Sequence, residues 1–465
     1  MVRGSDFLQL DPSDIPRGGR TEWLVDALRS AIAGDVLPVG TRLPPTRAFA
    51  AELGLARGTV VEAYQRLTEQ GLLSAARGAG TVVAARPVRS PAPAPASGVW
   101  EPTVFDGDVI DLATGIPDLA AFPRAAWLRA EREVLSGADT RSLGYAPPQG
   151  TPELRAELSA WLARSRGVRA APERIVITAG VTGALSILAR VLRNRGRTTI
   201  AREDPGADGN RAILDHWTRS TVPVRVDADG IDTAALAATG ARVVLVTPAH
   251  QFPTGVVLSP ERRRALVDWA RERDGLVIED DYDAEYRYDR SPVSALHGLD
   301  PSRVAYTSSL SKTLAPALRS GWLVPPAHLL EEVVEARWAV DLGSPSLPQL
   351  ALAALLRDGT IARHLRTMRS RHRVRRDAAV AAVREHLPGC PVLGVAAGLH
   401  LLVLLPPDLD DREAAARAER VGVAVQPLSR HRTVPGPPGL VIAYAGQGPA
   451  RLREAIARMG AAIRL

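Results

Sequence analysis

The stretch Tyr306-Thr-Ser-Ser-Leu-Ser-Lys312-Thr-Leu-Ala-Pro-Ala-Leu-Arg319-Ser-Gly321 contains the only lysine of the 465-residue chain. Of its 58 lysines and arginines, all but this one are arginines. The two residue types exchange at little cost on a solvated surface, but only the lysine amine can lose its proton and attack a carbonyl. Lys312 is therefore a candidate Schiff-base residue. The nearby hydroxyls and Arg319 favour this hypothesis over a lysine that persists on the surface by chance.

Chemically distinctive residues follow four strand-like runs, three before this stretch and one that leads into it. The runs are 174–178, 242–247, 275–279 and 303–307, and they lead into a glycine turn, Pro-Ala-His-Gln-Phe-Pro-Thr-Gly255, Asp280-Asp-Tyr282 and Ser-Ser-Leu-Ser-Lys312. From about residue 108 onward such runs alternate with amphipathic helical patterns, which is typical of an α/β fold. Ligands in open sheets bind at the carboxyl ends of strands. A glycine turn that opens a helix also predicts an anion site made of backbone N–H groups.

The amino-terminal part of the chain follows a different pattern. Residues 21–33 have an apolar face at helical spacing, and two shorter helical patterns follow at 46–53 and 57–67 around a turn that contains Gly54. Two short helices joined in this way are typical of a helix-turn-helix. Two apolar runs around the glycines of 71–83 predict a β-hairpin. Together these elements predict a winged helix.

Four motifs in this part resemble the GntR-type winged-helix family: Leu43-Pro-Pro-Thr-Arg47, Arg57-Gly-Thr59, Ala63-Tyr64 and Gly78-Ala-Gly80-Thr81. The resemblance implies that Arg47 and Arg57 contact DNA, with Thr59 at the start of the recognition helix. It also implies that the wing from Gly78 to Gly80 approaches the minor groove. The charge agrees, because residues 40–90 hold seven arginines and three acids, and arginines neutralise phosphates or bind guanine. The alternative is a helical subdomain with exposed arginines.

The second part resembles fold-type-I, aminotransferase-like domains that bind pyridoxal phosphate (PLP), and Ser309-Leu-Ser-Lys312 with Arg319 is the most specific match. The resemblance implies that Lys312 forms the Schiff base with PLP, that Asp280 keeps the pyridine nitrogen protonated, and that Tyr282 bonds the ring hydroxyl. Asp281 is expected to point the other way, since side chains alternate along an extended segment. For the phosphate the resemblance implies Gly180, Val181, Thr182, Ser309, Ser311, Arg319 and, from a second subunit, Tyr145.

The order of the two parts is similar to that of MocR-type transcriptional regulators. The predicted organisation is a winged helix-turn-helix over 16–85, a Pro/Ala-rich linker over 86–107, and an α/β fold-type-I aminotransferase-like domain over 108–465. Alternating prolines in the linker favour an extended, semi-rigid spacer. The resemblance implies a head-to-tail homodimer, with each winged helix over the partner's large domain, and a catalytic scaffold that serves mainly as an effector sensor.

Several positions depart from these families. Ala56 stands where GntR proteins often have serine, which we expect to cost about 1 kcal/mol of helix stability but not function. Ala207 stands where an aromatic residue usually stacks on the PLP ring. Val441 aligns with the arginine that clamps the substrate carboxylate in active aminotransferases. We therefore expect weak or absent transamination, although Arg430 and Arg432 in a nearby loop are possible substitutes for the clamp.

The bulk composition sets further limits. A net charge of +7 permits an anionic partner without requiring one, and a single cysteine, Cys390, excludes an internal disulfide. Neither a signal-peptide core nor an 18-residue apolar run is present in the sequence, so we expect a cytoplasmic protein with no membrane partner. The acidic run Glu279–Glu285, taken alone, fits a solvated loop. No metal site is expected, because the sequence shows no clustered histidines.

Three functions compete at this level. The first is a regulator that binds operator DNA and senses PLP, or an amine or amino acid that reacts with bound PLP, in vitamin B6 homeostasis or amino-compound metabolism. The second is an aminotransferase that carries a DNA-binding extension. The third is a DNA-binding protein in which the PLP domain is only structural. Transaminase kinetics distinguish the second from the first, and the effect of Lys312→Ala on regulation distinguishes the third.

Overall fold

The computed structural model describes residue 10 and residues 15–76, 80–86, 109–113, 115–140, 143–289 and 293–463. The chain divides into two compact units, Met1–Thr103 and Val104–Leu465. All but the first residue of the predicted linker lie outside the described residues, so the domain boundaries at 86 and 107 stay predictions. Within the described residues, no helix is both long and apolar enough to cross a membrane.

The first unit is a winged helix. Its elements are α1 (Arg20–Ala33), α2 (Thr46–Glu52), α3 (Arg57–Glu69), β1 (Leu73–Ala76) and β2 (Gly80–Val83). The three helices share one apolar core, to which Leu24, Leu28, Phe49, Val60 and Leu67 contribute fully buried side chains. Val60, Tyr64 and Leu67 of α3 face inward and are buried. A positive φ of 64° at Gly54 makes the tight turn between α2 and α3 possible.

A third extended segment completes the wing, and the sequence pattern did not predict it. Residues 40–43 run beside β2, with Leu43 N donating to Thr81 O and Val83 N donating to Thr41 O, both at 2.9 Å. Arg42 forms an isolated bridge with Val82. This pairing joins the segment before α2 to the hairpin and so fixes the wing relative to the recognition helix α3.

The residue just before helix α3 has no side-chain group that can cap the helix. Ala56 occupies the N-cap position and makes no side-chain hydrogen bond. We expect Ala56→Ser to raise the free energy of unfolding of this unit by about 1 kcal/mol, because a hydroxyl there can accept from a free backbone N–H. Urea denaturation of the full chain, followed at the transition of the first unit, measures the change. Ala56→Val, which has no hydroxyl, is the control, and no gain from serine over valine would contradict the expectation.

The second unit is an α/β domain. Its helices are α4 (Arg124–Gly137), α5 (Pro152–Arg166), α6 (Gly180–Asn194), α7 (Asp208–Trp217), α8 (Thr233–Ala238), α9 (Pro260–Glu272), α10 (Leu330–Asp341), α11 (Ser346–Arg357), α12 (Thr360–His386), α13 (Asp411–Arg420) and α14 (Pro449–Ile463). Its strands are β3 (Ile110–Asp111), β4 (Val176–Thr178), β5 (Thr199–Asp204), β6 (Ser220–Asp227), β7 (Gly230–Ile231), β8 (Val243–Val246), β9 (Leu276–Asp280), β10 (Val304–Ser309), β11 (Gly321–Val324), β12 (Val392–Leu393), β13 (His400–Leu404), β14 (Val423–Ala424), β15 (Gln426–Pro427) and β16 (Gly439–Ala443).

The large sheet has the order β4-β11-β10-β9-β8-β5-β6-β7. Strands β10, β9, β8, β5 and β6 pair in parallel, whereas β11 is antiparallel to both β10 and β4. Its central strands are buried along their whole length, because helices cover both faces of the sheet. As β4 and β10 point the same way, the carboxyl ends of β4, β8, β9 and β10 lie at one edge, as the sequence predicted.

A smaller sheet, β12-β13-β16-β15, follows in the chain. Its apolar face packs with α12, α13 and α14 in a core that includes Leu401, Val403, Ile442 and Ile456. The short strand β3, at the start of the described part of this unit, pairs in parallel with β14. This pairing brings the residues just after β3 back to the site described next.

Candidate functional site

Lys312 lies just beyond β10, at the edge where the four strand ends meet. Its Nζ donates to the carbonyl oxygen of Gly115 at 2.9 Å. Gly115 has a φ of 107°, and a Cβ there would stand 3.1 Å from the lysine nitrogen, so glycine leaves the amine its space. Burial lowers the pKa of Lys312, while Asp280 and Asp283 oppose the shift. A lysine with a lowered pKa is a better nucleophile toward a carbonyl.

Asp280 is the last residue of β9, and only one of its two carboxylate oxygens accepts a hydrogen bond from the described residues. Oδ2 accepts from Asn210 Nδ2 at 2.8 Å. Oδ1 is buried and has no hydrogen-bond partner among the described residues. Burial raises the pKa of Asp280 to about 7, and the bond from Asn210 opposes that shift. A buried carboxylate oxygen without a donor is costly, and a cationic N–H group placed beside it would remove the cost.

Asp281 has different partners, as the alternation along an extended segment predicts. Arg166 binds both of its oxygens, at 2.6 and 3.0 Å, and the Tyr306 hydroxyl donates at 2.7 Å. All three side chains are buried. This carboxylate is therefore satisfied within the protein, and Asp280 is the one with an oxygen available to a ligand.

The interpretation of Glu279–Glu285 as a solvated loop is wrong. Glu279, Asp280, Asp281 and Asp283 are all buried, and each has at least one hydrogen-bond partner from another segment of the chain. Glu279 accepts from the backbone N–H groups of Leu296 and His297 at 2.8 and 2.9 Å. The sequence alone did not show these donors, since they come from distant segments.

Tyr282 forms a polar network with His250 and Asp283, and the sequence did not predict these contacts. Its hydroxyl donates to the His250 carbonyl at 3.0 Å and lies 3.2 Å from His250 Nδ1, which is 2.9 Å from Asp283 Oδ2. Burial raises the pKa of Tyr282, so its phenol stays protonated. His250, Asp283 and His400 bring ligand atoms within 4.8 Å of one another. The expectation that no histidines cluster is therefore wrong, although His250 and His400 already contact Asp283 and the Pro253 carbonyl.

Helix α6 begins at the glycine turn for which the sequence predicts an anion cup. Helix α6 starts at Gly180 with no capping side chain and no acid in its first turn, so its first N–H groups, including those of Val181 and Thr182, are open to an anion. The cup is tightly built, since a Cβ on Gly321 would stand 2.7 Å from Gly180 Cα. Arg319 closes it, with a guanidinium nitrogen 3.5 Å from where a Gly180 Cβ would be.

Arg319 has an unusual backbone. It adopts φ 44° and ψ 40°, the left-handed region, and its side chain donates to the carbonyl of Ala179. A residue other than glycine held there costs about 1–3 kcal/mol and is often found at functional sites. Ser309 is the last residue of β10 and Ser311 lies two residues beyond it, and Ser309 Oγ accepts from Ser311 N at 3.4 Å. Ser309 pairs with Gly321, which packs against Gly180, so the end of β10, the cup and Arg319 lie close together.

Tyr145 does not belong to this cluster within one chain. Its side chain is 92% exposed. The resemblance assigned it to a second subunit, and an exposed aromatic side chain is consistent with that role.

The sequence departs from active aminotransferases at Val441, on β16, and at Ala207, at the start of α7. Val441 is fully buried on β16 with Leu402 and Leu428. Ala207 is the N-cap of α7 and adds no side-chain hydrogen bond. The two arginines named above as substitutes for the clamp have partners: Arg430 Nε donates to Asp208 at 2.6 Å, and Arg432 donates to the Pro437 carbonyl at 2.6 Å.

Of the predicted DNA-contacting residues, Arg47, Arg57 and Gly80 are exposed on the first unit, and Thr59 is half-buried. Arg47 is on α2 and Arg57 is the first residue of α3, and neither forms an ion pair with any residue that the structure describes. Thr59 is in the first turn of α3. Gly80 begins β2 with a φ of 80°. Gly78 lies outside the described residues.

Comparisons with known proteins agree with both units. The profile of bacterial regulatory proteins of the gntR family matches residues 20–83, and that of class I and II aminotransferases matches residues 107–459. The domain family of the second match typically binds PLP. An archaeal alanine:glyoxylate aminotransferase structure is 29% identical with a TM-score of 0.71, over 76% of this chain and 90% of that one.

Two relatives match almost the whole chain. The probable rhizopine catabolism regulatory protein MocR of Rhizobium meliloti is 34% identical over 93% of this chain and 91% of its own length. The pyridoxine biosynthesis transcriptional regulator PdxR of Corynebacterium glutamicum is 32% identical over 98% of this chain and 97% of its own. The chain therefore belongs to the MocR-type subfamily of GntR transcriptional regulators, in which a GntR-type winged helix is joined to an aminotransferase-like domain.

Proposed function

We propose that this protein is a cytoplasmic transcriptional regulator that binds operator DNA through its winged helix and holds PLP in its aminotransferase-like unit. One observation carries the proposal. In a chain that also contains a winged helix, the only lysine follows a strand end at the same sheet edge as a buried carboxylate with a free oxygen and a helix terminus open to an anion.

The described residues fit PLP. Asp280 Oδ1 would accept from the pyridine nitrogen, and Lys312 would hold the aldehyde carbon. The open N–H groups of α6 would bind the phosphate together with Ser309, Ser311 and Arg319. When bound, PLP supplies an aldehyde and an electron-withdrawing ring. Tyr282 would bond the ring hydroxyl, and the His250–Asp283 pair would keep that phenol in place.

The protein is proposed to work as a head-to-tail homodimer. The support is Tyr145, whose exposed ring is available to reach the phosphate bound by another subunit. Exposed apolar side chains at the end of α10, Trp338 and Leu342, add surface that a second copy would cover. Analytical ultracentrifugation of the full chain tests the dimer.

The effector is proposed to be PLP itself, with an adduct of PLP and an amine or amino acid as the alternative. Val441 supports the first choice, because a buried valine cannot clamp the carboxylate of a second ligand. Among the relatives, the name of PdxR refers to pyridoxine biosynthesis and that of MocR to rhizopine catabolism. Control of vitamin B6 homeostasis is therefore preferred to control of amino-compound catabolism.

DNA binding by the full chain tests this function. Duplexes from upstream of the protein's own gene and a shuffled duplex of equal length are titrated at one fixed salt concentration. We expect the upstream duplex to bind at least about 10³-fold more tightly than the shuffled one. Equal affinity for both duplexes, with and without PLP, would contradict the proposal and favour the aminotransferase alternative.

Transamination is expected to be weak or absent. Valine at 441 leaves the carboxylate of an amino-acid substrate without its clamp, and alanine at 207 leaves the PLP ring without a stacking partner, so both are poorly positioned for reaction. Keto-acid formation from an amino donor and acceptor should stay well below about 1 s⁻¹, the low end of ordinary enzymes. A PLP-loaded aminotransferase assayed in parallel is the control. Sustained turnover at or above that rate would show that the site is a working enzyme.

A further inference from the structure

Helix α12 is strongly basic. Its 27 residues contain eight arginines and only two acids, Asp377 and Glu385. It belongs to the aminotransferase-like unit, far along the chain from the winged helix. Nothing in the proposed PLP site uses its exposed arginines.

Three of these arginines share one face of the helix. Arg366, Arg373 and Arg384 are exposed, and at 100° per residue they fall within about 20° of one line. The buried residues of α12, such as Ile361, Met368, Ala379 and Val383, lie on the opposite side. At about 1.5 Å per residue the three Cα atoms span about 27 Å. We call Arg366, Arg373 and Arg384 the arginine stripe.

The arginine stripe shares its line with one acid, Asp377, which lies within about 20° of it. Arg371 and Arg375 pair with Asp118, and Arg376 pairs with Asp377. By contrast, no carboxylate in the described part of the chain pairs with any arginine of the stripe. Three unpaired guanidinium groups on one line can each form charge-assisted hydrogen bonds with an external anion of similar length. These bonds would have to outweigh the side-chain entropy that is lost when the arginines are fixed.

We propose that the arginine stripe binds the sugar-phosphate backbone of the duplex DNA that flanks the operator. This inference rests on the proposed function, because it requires that the winged helix brings DNA to the protein. Tethering then raises the local concentration of phosphate at the second unit. The spacing also fits: Arg366 and Arg373 are about 10 Å apart along the helix axis, close to the 12 Å width of the major groove of B-DNA, whose two edges are lines of phosphates.

The test compares full-length variants across a salt series. The triple variant R366Q/R373Q/R384Q removes the stripe. The control R264Q/R271Q/R420Q removes the same charge from exposed arginines that pair with Glu261, Asp268 and Glu413. Each variant is titrated with an operator duplex carrying long flanks and with the same operator trimmed to the part protected by the winged helix.

On the long duplex, loss of the stripe should make the slope of log Kobs against log salt shallower by about 2 to 3, at about 0.9 per phosphate contact. The trimmed duplex and the control variant should show little change. R366K/R373K/R384K keeps the charge and should stay close to the wild-type slope. Thermal melting of both triple variants shows whether a loss of binding is caused only by misfolding.

The outcomes separate this inference from the proposed function. Specific operator binding by the wild type, with an unchanged slope in R366Q/R373Q/R384Q, would overturn the stripe and leave the proposed function intact. An equal loss in the control variant would also overturn it, because net charge alone would then explain the effect. If the wild type binds no DNA specifically, both proposals fail.

Discussion

Replacing Lys312 by alanine is expected to reduce covalent attachment of PLP from complete to undetectable. Lys312 is the only lysine in the chain, so no other side-chain amine is present to take its place. Borohydride reduction of the PLP-loaded protein, followed by mass spectrometry of the intact chain and its peptides, measures the attachment. The wild type should gain the mass of the cofactor on the peptide that contains Lys312.

Lys312→Arg is the matched control for this result. It keeps the positive charge beside Asp280 but cannot act as the nucleophile, because a guanidinium stays protonated. Both variants should therefore lose covalent attachment, and only the arginine variant should keep the local charge. Cofactor fixed covalently to either variant, apart from labelling of the terminal amine, would mean that Lys312 is not the attachment site.

Replacing Arg57 by alanine is expected to weaken operator binding about 5- to 150-fold, equivalent to about 1–3 kcal/mol. Arg57 opens the recognition helix, is exposed, and has no ion-pair partner among the residues that the structure describes. It is therefore free to contact a base edge or a phosphate. Fluorescence anisotropy with the operator duplex at fixed salt measures the loss.

Arg66 provides a control on the same helix. It is exposed but pairs with Glu22 and Glu62, so Arg66→Ala removes the same charge from a side chain that is already engaged. Surface pairs of this kind contribute about 0–1 kcal/mol to stability, and DNA affinity should change little. If Arg66→Ala weakens binding as much as Arg57→Ala, general charge and not the start of α3 governs the contact.

The sequence predicted the elements of the winged helix because its signals are local. Apolar spacing defined the helices, and Gly54 marked the turn between α2 and α3. The segment 40–43 was missed as a wing strand, since it has no alternating apolar pattern of its own. It is extended because β2 offers it backbone partners, and that information lies about forty residues away in the chain.

The candidate site was predictable where a strand end carries a distinctive side chain. Lys312 and Gly180 follow strands and Asp280 ends one, and the structure brings these strand ends to one edge. The contacts that tune them were not predictable. Gly115 offers Lys312 a backbone carbonyl from 197 residues away, and Asn210 comes from α7. His250 was visible in a motif after β8, but its pairing with Asp283 depends on packing between segments.

We infer that PLP binding and DNA binding are thermodynamically coupled in this protein. A ligand can change DNA binding only if its affinity differs between two arrangements of the protein. The most direct measurement is the affinity of the full chain for operator DNA at fixed salt, apo and PLP-loaded, for the wild type and for Lys312→Ala. We expect PLP to change the wild-type affinity by about 5- to 150-fold and to leave the affinity of the variant unchanged. An equal response in both proteins, or no response in the wild type, would contradict this inference.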